Sequence, residues 1–442
     1  MATLIDQKPA AIDVAALVEP DRVHRRVYTD PAIFGLEMER IWHRTWIYVG
    51  HESQVKETGQ YYATTVGRQP VLLTRAAGGK FHVLYNRCAH KGAMLVGDRC
   101  GRLKELRCCY HGWRFGLDGR LLGIPLEQGY DDTRFDRKGE EADLSRARAE
   151  SYRGFVFASL SPDVPDLKIW LGGVASSIDN MVDRAPDGEL EVAGGVLRYE
   201  HDCNWKFFVE NLNDMMHPMV AHQSSSLTAR VVAKRELPAD APAPSAIEII
   251  APFTESYSFF DDMGVHAFDY GHGYSGGKTS IHAKYSEVPE YNRRMEAAYG
   301  KERVAEIFSV NRHNTIFYPS ATIKGAIQTM RVVRPVAVDR TIIESWTFRL
   351  KGAPDELLQR SILYCNLINS SANLVGPDDQ ESYRRQQVGL GSEANDWVTM
   401  HRDFGKDEAI EPGHAYARGS SDISFRNQYK AWKKYMTAGA AK

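Results

Sequence analysis

Two short motifs, Cys88-Ala89-His90 and Cys108-Cys109-Tyr110-His111, each supply one thiolate and one imidazole at metal-ligand spacing. With the cysteines on one iron and the histidines on the other, such a set holds a [2Fe-2S] cluster asymmetrically. Neutral imidazoles in place of two charged thiolates make the cluster easier to reduce, at roughly −150 to +300 mV against about −400 mV for the all-cysteine plant type. The chemistry is acceptance and onward passage of an electron. Structural zinc also takes Cys2His2 ligation, but zinc fingers usually set a cysteine pair ahead of a histidine pair, whereas here each motif is mixed. Asn86-Arg87 before the first motif and Gly112-Trp113-Arg114-Phe115 after the second offer tight backbone approach and an apolar cover.

A second constellation lies in Glu210-Asn211-Leu212-Asn213-Asp214-Met215-Met216-His217-Pro218-Met219-Val220-Ala221-His222. On a regular helix residues five apart diverge by about 140°, so His217 and His222 would not face one metal. Pro218 cannot donate to the carbonyl of Asp214 and disfavours helical geometry at His217. The helix is therefore expected to break or to bulge there, which would bring both imidazoles to one point. Iron(II) that activates O2 takes two histidines and one carboxylate and leaves positions open. The carboxylate must come from elsewhere in the chain.

The first pair of motifs resembles the Rieske domain of ring-hydroxylating oxygenases, and Glu-Asn-x2-Asp-x2-His-x4-His resembles the mononuclear-iron motif of the same family. In that order, the two make the chain similar to a catalytic α subunit over essentially its full length. The resemblance implies a [2Fe-2S] Rieske cluster on Cys88, His90, Cys108 and His111, and a mononuclear Fe(II) on His217, His222 and a downstream aspartate. In Val375-Gly376-Pro377-Asp378-Asp379, the second aspartate, Asp379, is the implied ligand. Asp378 is the alternative ligand, or a helix N-cap. Asp214 is implied to bridge to His111 of a neighbouring subunit in a head-to-tail trimer, where a carboxylate between two imidazoles would fix both tautomers. One departure is Cys109, which stands where the family usually has proline. The spacing to His111 still selects Cys108 as the ligand, and Cys109 reads as a spectator thiol. The scattered Cys203 and Cys365 do not mark an oxidising compartment, so no disulfide to Cys100 or Cys109 is expected.

The activity implied is that of a terminal oxygenase. A separate reductase, with or without a ferredoxin, supplies electrons drawn from NADH, and O2 cis-dihydroxylates an aromatic ring. A Rieske monooxygenase or demethylase on the same scaffold, and a pure Rieske electron carrier, are the alternatives. No glycine fingerprint of a nicotinamide site is present in strand-then-helix context. The segments Ile316-Phe317-Tyr318 and Thr329-Met330-Arg331-Val332-Val333-Arg334 are expected to line the interior, with Arg331 and Arg334 on opposite faces. A guanidinium from one of them could pair with a substrate carboxylate, which favours an aromatic acid. The stretch Ser420 to Trp432 resembles the tail of α subunits that pair with a small β subunit, so α3β3 is expected, with an α3 homotrimer as the alternative.

The elements that must position these residues follow from patterning. At 442 residues the chain has length for two or three domains. Residues 1–45 read as a helical arm, with Asp30-Pro31 as N-cap and first-turn proline and Ile33, Phe34, Met38, Ile41 and Trp42 at helical spacing. Residues 46–165 read as short strands with turns at Gly78-Gly79 and Asp118-Gly119, placing both cluster motifs at hairpin tips. Residues 166–442 read as a mixed domain. It has a strand at Ile247–Ile250, a helix from Pro354 to Asn373 and an exposed loop at Pro238–Pro244. A second loop, Gly271–Gly277, carries His272, which reads as an ordinary loop residue and not a ligand. The fold expected is α+β: a small all-β Rieske domain beside a larger domain with an antiparallel sheet surrounded by helices. A formal net charge of −2 leaves no basic excess for nucleic acid. Neither a secretory or transit pattern nor an apolar run of about 18 residues is present, so a cytoplasmic protein without a membrane span is expected.

Overall fold

The structure, a computed structural model, describes residues 12–238, 240–242, 244–277, 280–281, 288–370 and 375–438. Two antiparallel sheets dominate it. The smaller has seven strands, in the order Ile47–His51, Phe155–Ser159, Arg146–Tyr152, Phe81–Tyr85, Gln69–Arg75, Gln60–Val66 and Cys100–Arg102. The larger has nine, in the order Leu190–His201, Arg340–Leu350, Thr329–Ala337, Ala321–Lys324, Asn311–Phe317, Gly273–Gly277, Val265–Phe268, His414–Ala417 and Glu408–Glu411. The period-2 alternation of strands decides what each face meets.

In the smaller sheet, Val71, Leu73 and Val83 join the main core. Leu72 and Leu84 turn the other way, into a separate core with Tyr61, Leu106, Trp113, Phe115 and the two ligand-type thiols, Cys88 and Cys108. A sheet buried on both faces reads as a continuous apolar run, as Val71-Leu72-Leu73 does. One face anchors the small domain and the other carries the loops of the two cysteine and histidine motifs. In the larger sheet, Trp346 and Phe348 face the small domain, where Trp346 meets Tyr48 and Tyr62 edge-on and Phe348 packs on Phe155. Glu344 lies on the same face and gathers Arg334, Arg198 and Arg99. Burial alone would raise its carboxyl pKa, but the three guanidiniums hold it below the ordinary value. The opposite face, carrying Thr322, Lys324, Arg331 and Ser345, looks toward the helices.

The N-terminal arm is not wholly helical. Val18–Glu19 pairs with Arg22–His24, which pairs with Trp397–Thr399, before the helices Arg26–Thr29 and Pro31–Glu37 begin. Asp30 does cap the second helix, accepting from Ala32 N at 2.9 Å, with Pro31 in its first turn. Glu37 ties the arm down from inside the core. Its carboxylate accepts from Lys206 Nζ at 2.6 Å, Trp432 Nε1 at 2.7 Å and Trp205 Nε1 at 2.9 Å. Removing one partner of a buried, hydrogen-bonded ion pair costs about 3–5 kcal/mol, so this knot joins the arm, the helix Trp205–Asn211 and the C-terminal helix Ile423–Thr437.

Three local expectations change. Ile247–Ile250 is not a strand but the end of a helix, Ser245–Ile250, because Ile249 and Ile250 are adjacent on the side that packs with Tyr364, Ile368 and Val375. Four residues of alternation cannot outweigh that burial. Gly271–Gly277 is largely the strand Gly273–Gly277, central in the larger sheet. His272 beside it is buried, with Nε2–H donated to Trp170 O at 2.9 Å and Nδ1 accepting from Tyr318 N at 3.0 Å, so it is a core residue with both nitrogens used. The helix expected from Pro354 to Asn373 spans Asp355–Ile368, and residues 371–374 lie outside the described set. Pro238, Asp240, Pro242 and Pro244 are exposed, while Ala239 and Ala243 lie outside that set. Among the described residues no helix is long and apolar enough to cross a membrane.

Candidate metal centres

Two loops with the same backbone pattern carry the cysteine and histidine motifs. In the first, Cys88 N donates to Ala93 O at 2.8 Å and Gly92 N to Cys88 O at 3.0 Å. In the second, Cys108 N donates to Trp113 O at 2.8 Å and Gly112 N to Cys108 O at 3.1 Å. Each loop turns at a glycine in the left-handed region, Gly92 at φ +75° and Gly112 at φ +71°, which only glycine adopts without strain. Gly92 is a part of the site that the motif reading passed over. The second loop is a hairpin tip between Leu106–Arg107 and Arg114–Phe115. The first is not, because the strand before it, Phe81–Tyr85, does not pair with the one after it, Cys100–Arg102.

These loops bring the four side chains together in pairs. The Cys88 and Cys108 thiols lie within hydrogen-bonding reach of each other. The His90 and His111 rings stand edge to face, 4.7 Å between centroids. Trp113 stacks flat on His90 at 4.9 Å, and the buried Nδ1 of His90 has no hydrogen-bond partner. A tetrahedral zinc would need all four ligand atoms within roughly 3.3–3.8 Å of one another. Among the described residues the one such convergence of three or more His, Cys, Asp or Glu groups lies elsewhere, so the paired arrangement fits a two-iron cluster better than a single ion. Cys100 and Cys109 are exposed. Tyr110 and His111 stand at the exposed tip.

The convergence is His217, His222 and Asp379, whose ligand-type atoms lie within 4.8 Å of one another. Asp379 Oδ1 is 3.6 Å from His217 Nε2 and 3.4 Å from His222 Nε2. The expected bulge is absent. The helix breaks instead, the other of the two expected outcomes: Trp205–Asn211 ends ahead of His217, and the histidines flank a separate four-residue turn, Pro218–Ala221. Pro218 stands at its first position, where no N–H is needed. His217 keeps helical values (φ −78°, ψ −30°) in spite of the following proline, while His222 leaves them at ψ 11°, which redirects its side chain.

Each histidine has a carboxylate behind it. Asp214 Oδ2 is 3.6 Å from His217 Nδ1, and Asp378 Oδ2 is 3.4 Å from His222 Nδ1. Asp378 is placed to hold the Nδ1–H of His222 and leave its Nε2 to ligate, while Asp214 lies at the longer, ion-pair distance from His217. Asp378 is therefore neither N-cap nor one of the converging groups. It sits in the first turn of Gly376–Gly389, which has no side-chain cap, and also accepts from Ser225 Oγ at 3.2 Å. Burial would lower the pKa of His217, but Asp214 and Asp379 raise it above the ordinary histidine value. At His222 burial wins and the pKa falls. Burial would raise Asp214, yet its bond to His217 pulls it down.

Two more residues of the motif have work that its spacing did not assign. Asn211 Nδ2 is 3.1 Å from both His217 Nε2 and Asp379 Oδ1, bridging the two. Glu210 accepts from Tyr429 Oη and is also bonded to Tyr28, and burial pushes its pKa up to about 7. It locks the helix that ends in Asn211 to the arm and the C-terminal helix. Of the two arginines singled out, Arg331 lies on the triad side, giving Nη2 to Asn314 Oδ1 at 3.0 Å and covering the Phe208 ring at 5.2 Å. Arg334 lies on the other face, bonded to Glu344, Tyr48 O and Thr65 O, where it serves the contact between the sheets.

Residues 45–134 match the Rieske [2Fe-2S] domain, and residues 190–437 match the ring-hydroxylating α subunit catalytic domain. The chain is 32% identical over 440 residues to toluate 1,2-dioxygenase subunit alpha of Pseudomonas putida, covering 96% of this chain and 94% of that one. It is 30% identical over 436 residues to 2-halobenzoate 1,2-dioxygenase large subunit of Burkholderia cepacia, covering 95% and 90%. A solved naphthalene 1,2-dioxygenase with indole bound shares the fold, with a TM-score of 0.79, 23% identity and coverage of 95% and 93%. The chain belongs to the Rieske non-haem iron ring-hydroxylating dioxygenases, as a large α subunit that carries a [2Fe-2S] cluster and a mononuclear iron.

Proposed function

We propose that the chain is the terminal oxygenase that cis-dihydroxylates an aromatic carboxylic acid. The convergence of His217, His222 and Asp379 is the observation that carries this reading. The donor set suits iron(II) with open positions, and the [2Fe-2S] cluster and iron, when bound, supply electron transfer and O2 activation. Cys88, Cys108, His90 and His111 hold the cluster, and His217, His222 and Asp379 the iron. Asp378 takes the Nδ1–H of His222 and Asp214 pairs electrostatically with His217, so both Nε2 atoms face Asp379, and Asn211 orients the Asp379 carboxylate. The relatives named for toluate and 2-halobenzoate support an acid as the substrate.

Asp214 is also the group that would accept His111 of a neighbouring subunit. Within one chain no hydrogen bond or ion pair joins the two, among the described residues. Asp214 borders a surface hollow of about 340 Å³ with Met216, Arg402 and Phe425, whereas His111 stands on an exposed tip. A hollow and a protrusion on different parts of one chain suit a closed head-to-tail trimer, α3 or with a small β subunit α3β3. A reductase, with or without a ferredoxin, supplies the electrons. A cytoplasmic setting suits six cysteines that are all unpaired.

The test is turnover of the iron-loaded protein with a surrogate reductase and a panel of aromatic acids and hydrocarbons, read by product mass. A gain of two oxygens and two hydrogens supports the proposal. A gain of one oxygen assigns monooxygenation, and no product with any arene rejects the reading.

A further inference from the structure

The sheet face turned toward the triad carries a buried cation, Lys324, and a half-buried one, Arg331, with no carboxylate partner among the described residues. Lys324 ends the strand Ala321–Lys324, and Arg331 lies on the next strand, directly across from Thr322. Alternation puts Thr322, Lys324 and Arg331 on one face. Lys324 is 4% exposed, and its Nζ donates to Tyr364 Oη at 3.0 Å, which uses one of three donors. Arg331 spends one contact on Asn314. Burial and the charge of Arg331 hold the Lys324 ammonium well below the usual amine range, while Asp379 pulls the other way, so the two cations and the triad carboxylate share one electrostatic neighbourhood.

Around them stand polar atoms with nothing to bind. Thr322 Oγ1 and both ring nitrogens of His201 are buried without a hydrogen-bond partner among the described residues. His201 lies against Phe208 and Tyr383, and it feels the charges of both Asp379 and Arg331. An apolar wall completes the setting. Ile250, Phe253, Ile327, Tyr364 and Ile368 pack together, and the Phe253 ring meets His222 edge-on at 5.4 Å. A cationic floor, donors without partners and an apolar wall reaching a candidate iron ligand are what a flat ring bearing one anionic group would need. An isolated ammonium is costly to bury, and a ligand carboxylate offsets that cost where a neutral group does not.

We propose that Lys324 Nζ is the counter-ion for the carboxylate of an aromatic acid bound beside His217, His222 and Asp379, with Arg331 as the second cation behind it. The proposal rests on the oxygenase reading and deepens it by naming the group that selects acids over hydrocarbons. Lys324 is the specificity-determining residue, and Arg331, held by Asn314, positions the field.

The test uses calorimetric binding of benzoate and of benzamide to the full-length protein carrying its cluster, with Lys324→Met and Lys324→Arg compared against the parent. The visible spectrum and melting temperature establish that each variant is folded. Lys324→Met is expected to weaken benzoate by about 100-fold and benzamide by less than about threefold, and Lys324→Arg to recover much of the loss. Three results overturn the proposal: a parent protein that does not prefer benzoate to benzamide, a Lys324→Met protein that keeps the parent affinity for benzoate, or equal loss of both ligands. Binding is read without turnover, so absence of any oxygenated product would reject the oxygenase reading and leave the role of Lys324 separately decided.

Discussion

The two candidate metal centres are built in opposite ways. The cluster site is a backbone construction, with two loops of one hydrogen-bond pattern, each closed at a left-handed glycine and set on the small sheet's private core. The triad is a side-chain construction. Two histidines on a kinked turn meet an aspartate from the first turn of a distant helix, and each histidine is held by a further carboxylate. Local backbone geometry makes a site robust and exposed. Assembly from distant elements makes one whose chemistry depends on the whole domain.

Substitutions can break or sharpen this contrast. The largest effect is expected from Asp379→Ala. It should abolish mononuclear iron and turnover, by more than the roughly 10–100-fold typical of an outer-sphere change, while the cluster's visible spectrum stays intact. Metal analysis beside the absorption spectrum checks it. His111→Ala should do the reverse, bleaching the cluster and sparing the iron of the triad. Asp214→Ala should leave the cluster loaded and, even with iron supplied in excess to offset a loosened His217, stop electron-driven turnover, and full activity in that variant would end the cross-subunit relay. Asp378→Ala should weaken iron binding by about 10–100-fold through a loosened His222, measured by iron titration, with the cluster untouched. The smallest effect belongs to Gly92→Ala. A Cβ at φ +75° would also meet Arg87 Nε at 3.1 Å, so a loss of about 1–2 kcal/mol, read as a lower melting temperature of the cluster's absorption, is expected with the triad unaffected.

The same contrast explains what could be read in advance. The pairing of the Cys88 and Cys108 thiols and of the His90 and His111 rings was legible because their spacing within two short loops already limits which groups can meet. His217 and His222 were legible as a pair, but the way they meet was not. The rule for residues before proline suggested a broken or bulged helix; the helix is broken, but ahead of His217, which keeps helical angles while the chain bends at His222. Asp379 rested on family resemblance alone, since nothing near it in sequence marks it over Asp378. Ile247–Ile250 misled because a four-residue alternation carries less weight than packing against Tyr364 and Ile368. Lys324 left no signal at all, being one lysine at the end of a short strand.

The amino-acid sequence by itself determined the donor types, the two loops that present paired thiols and imidazoles and the alternation that sends Arg331 and Arg334 to opposite faces. These follow from local stereochemistry, which acts over a few residues. Only the tertiary structure decided that Asp379 and not Asp378 meets the two histidines, that Arg334 belongs to the contact between sheets, and that Lys324 lies buried near the triad with no acid to pair with among the described residues. Those outcomes depend on which faces the long-range packing brings together, and no spacing along the chain encodes that distance.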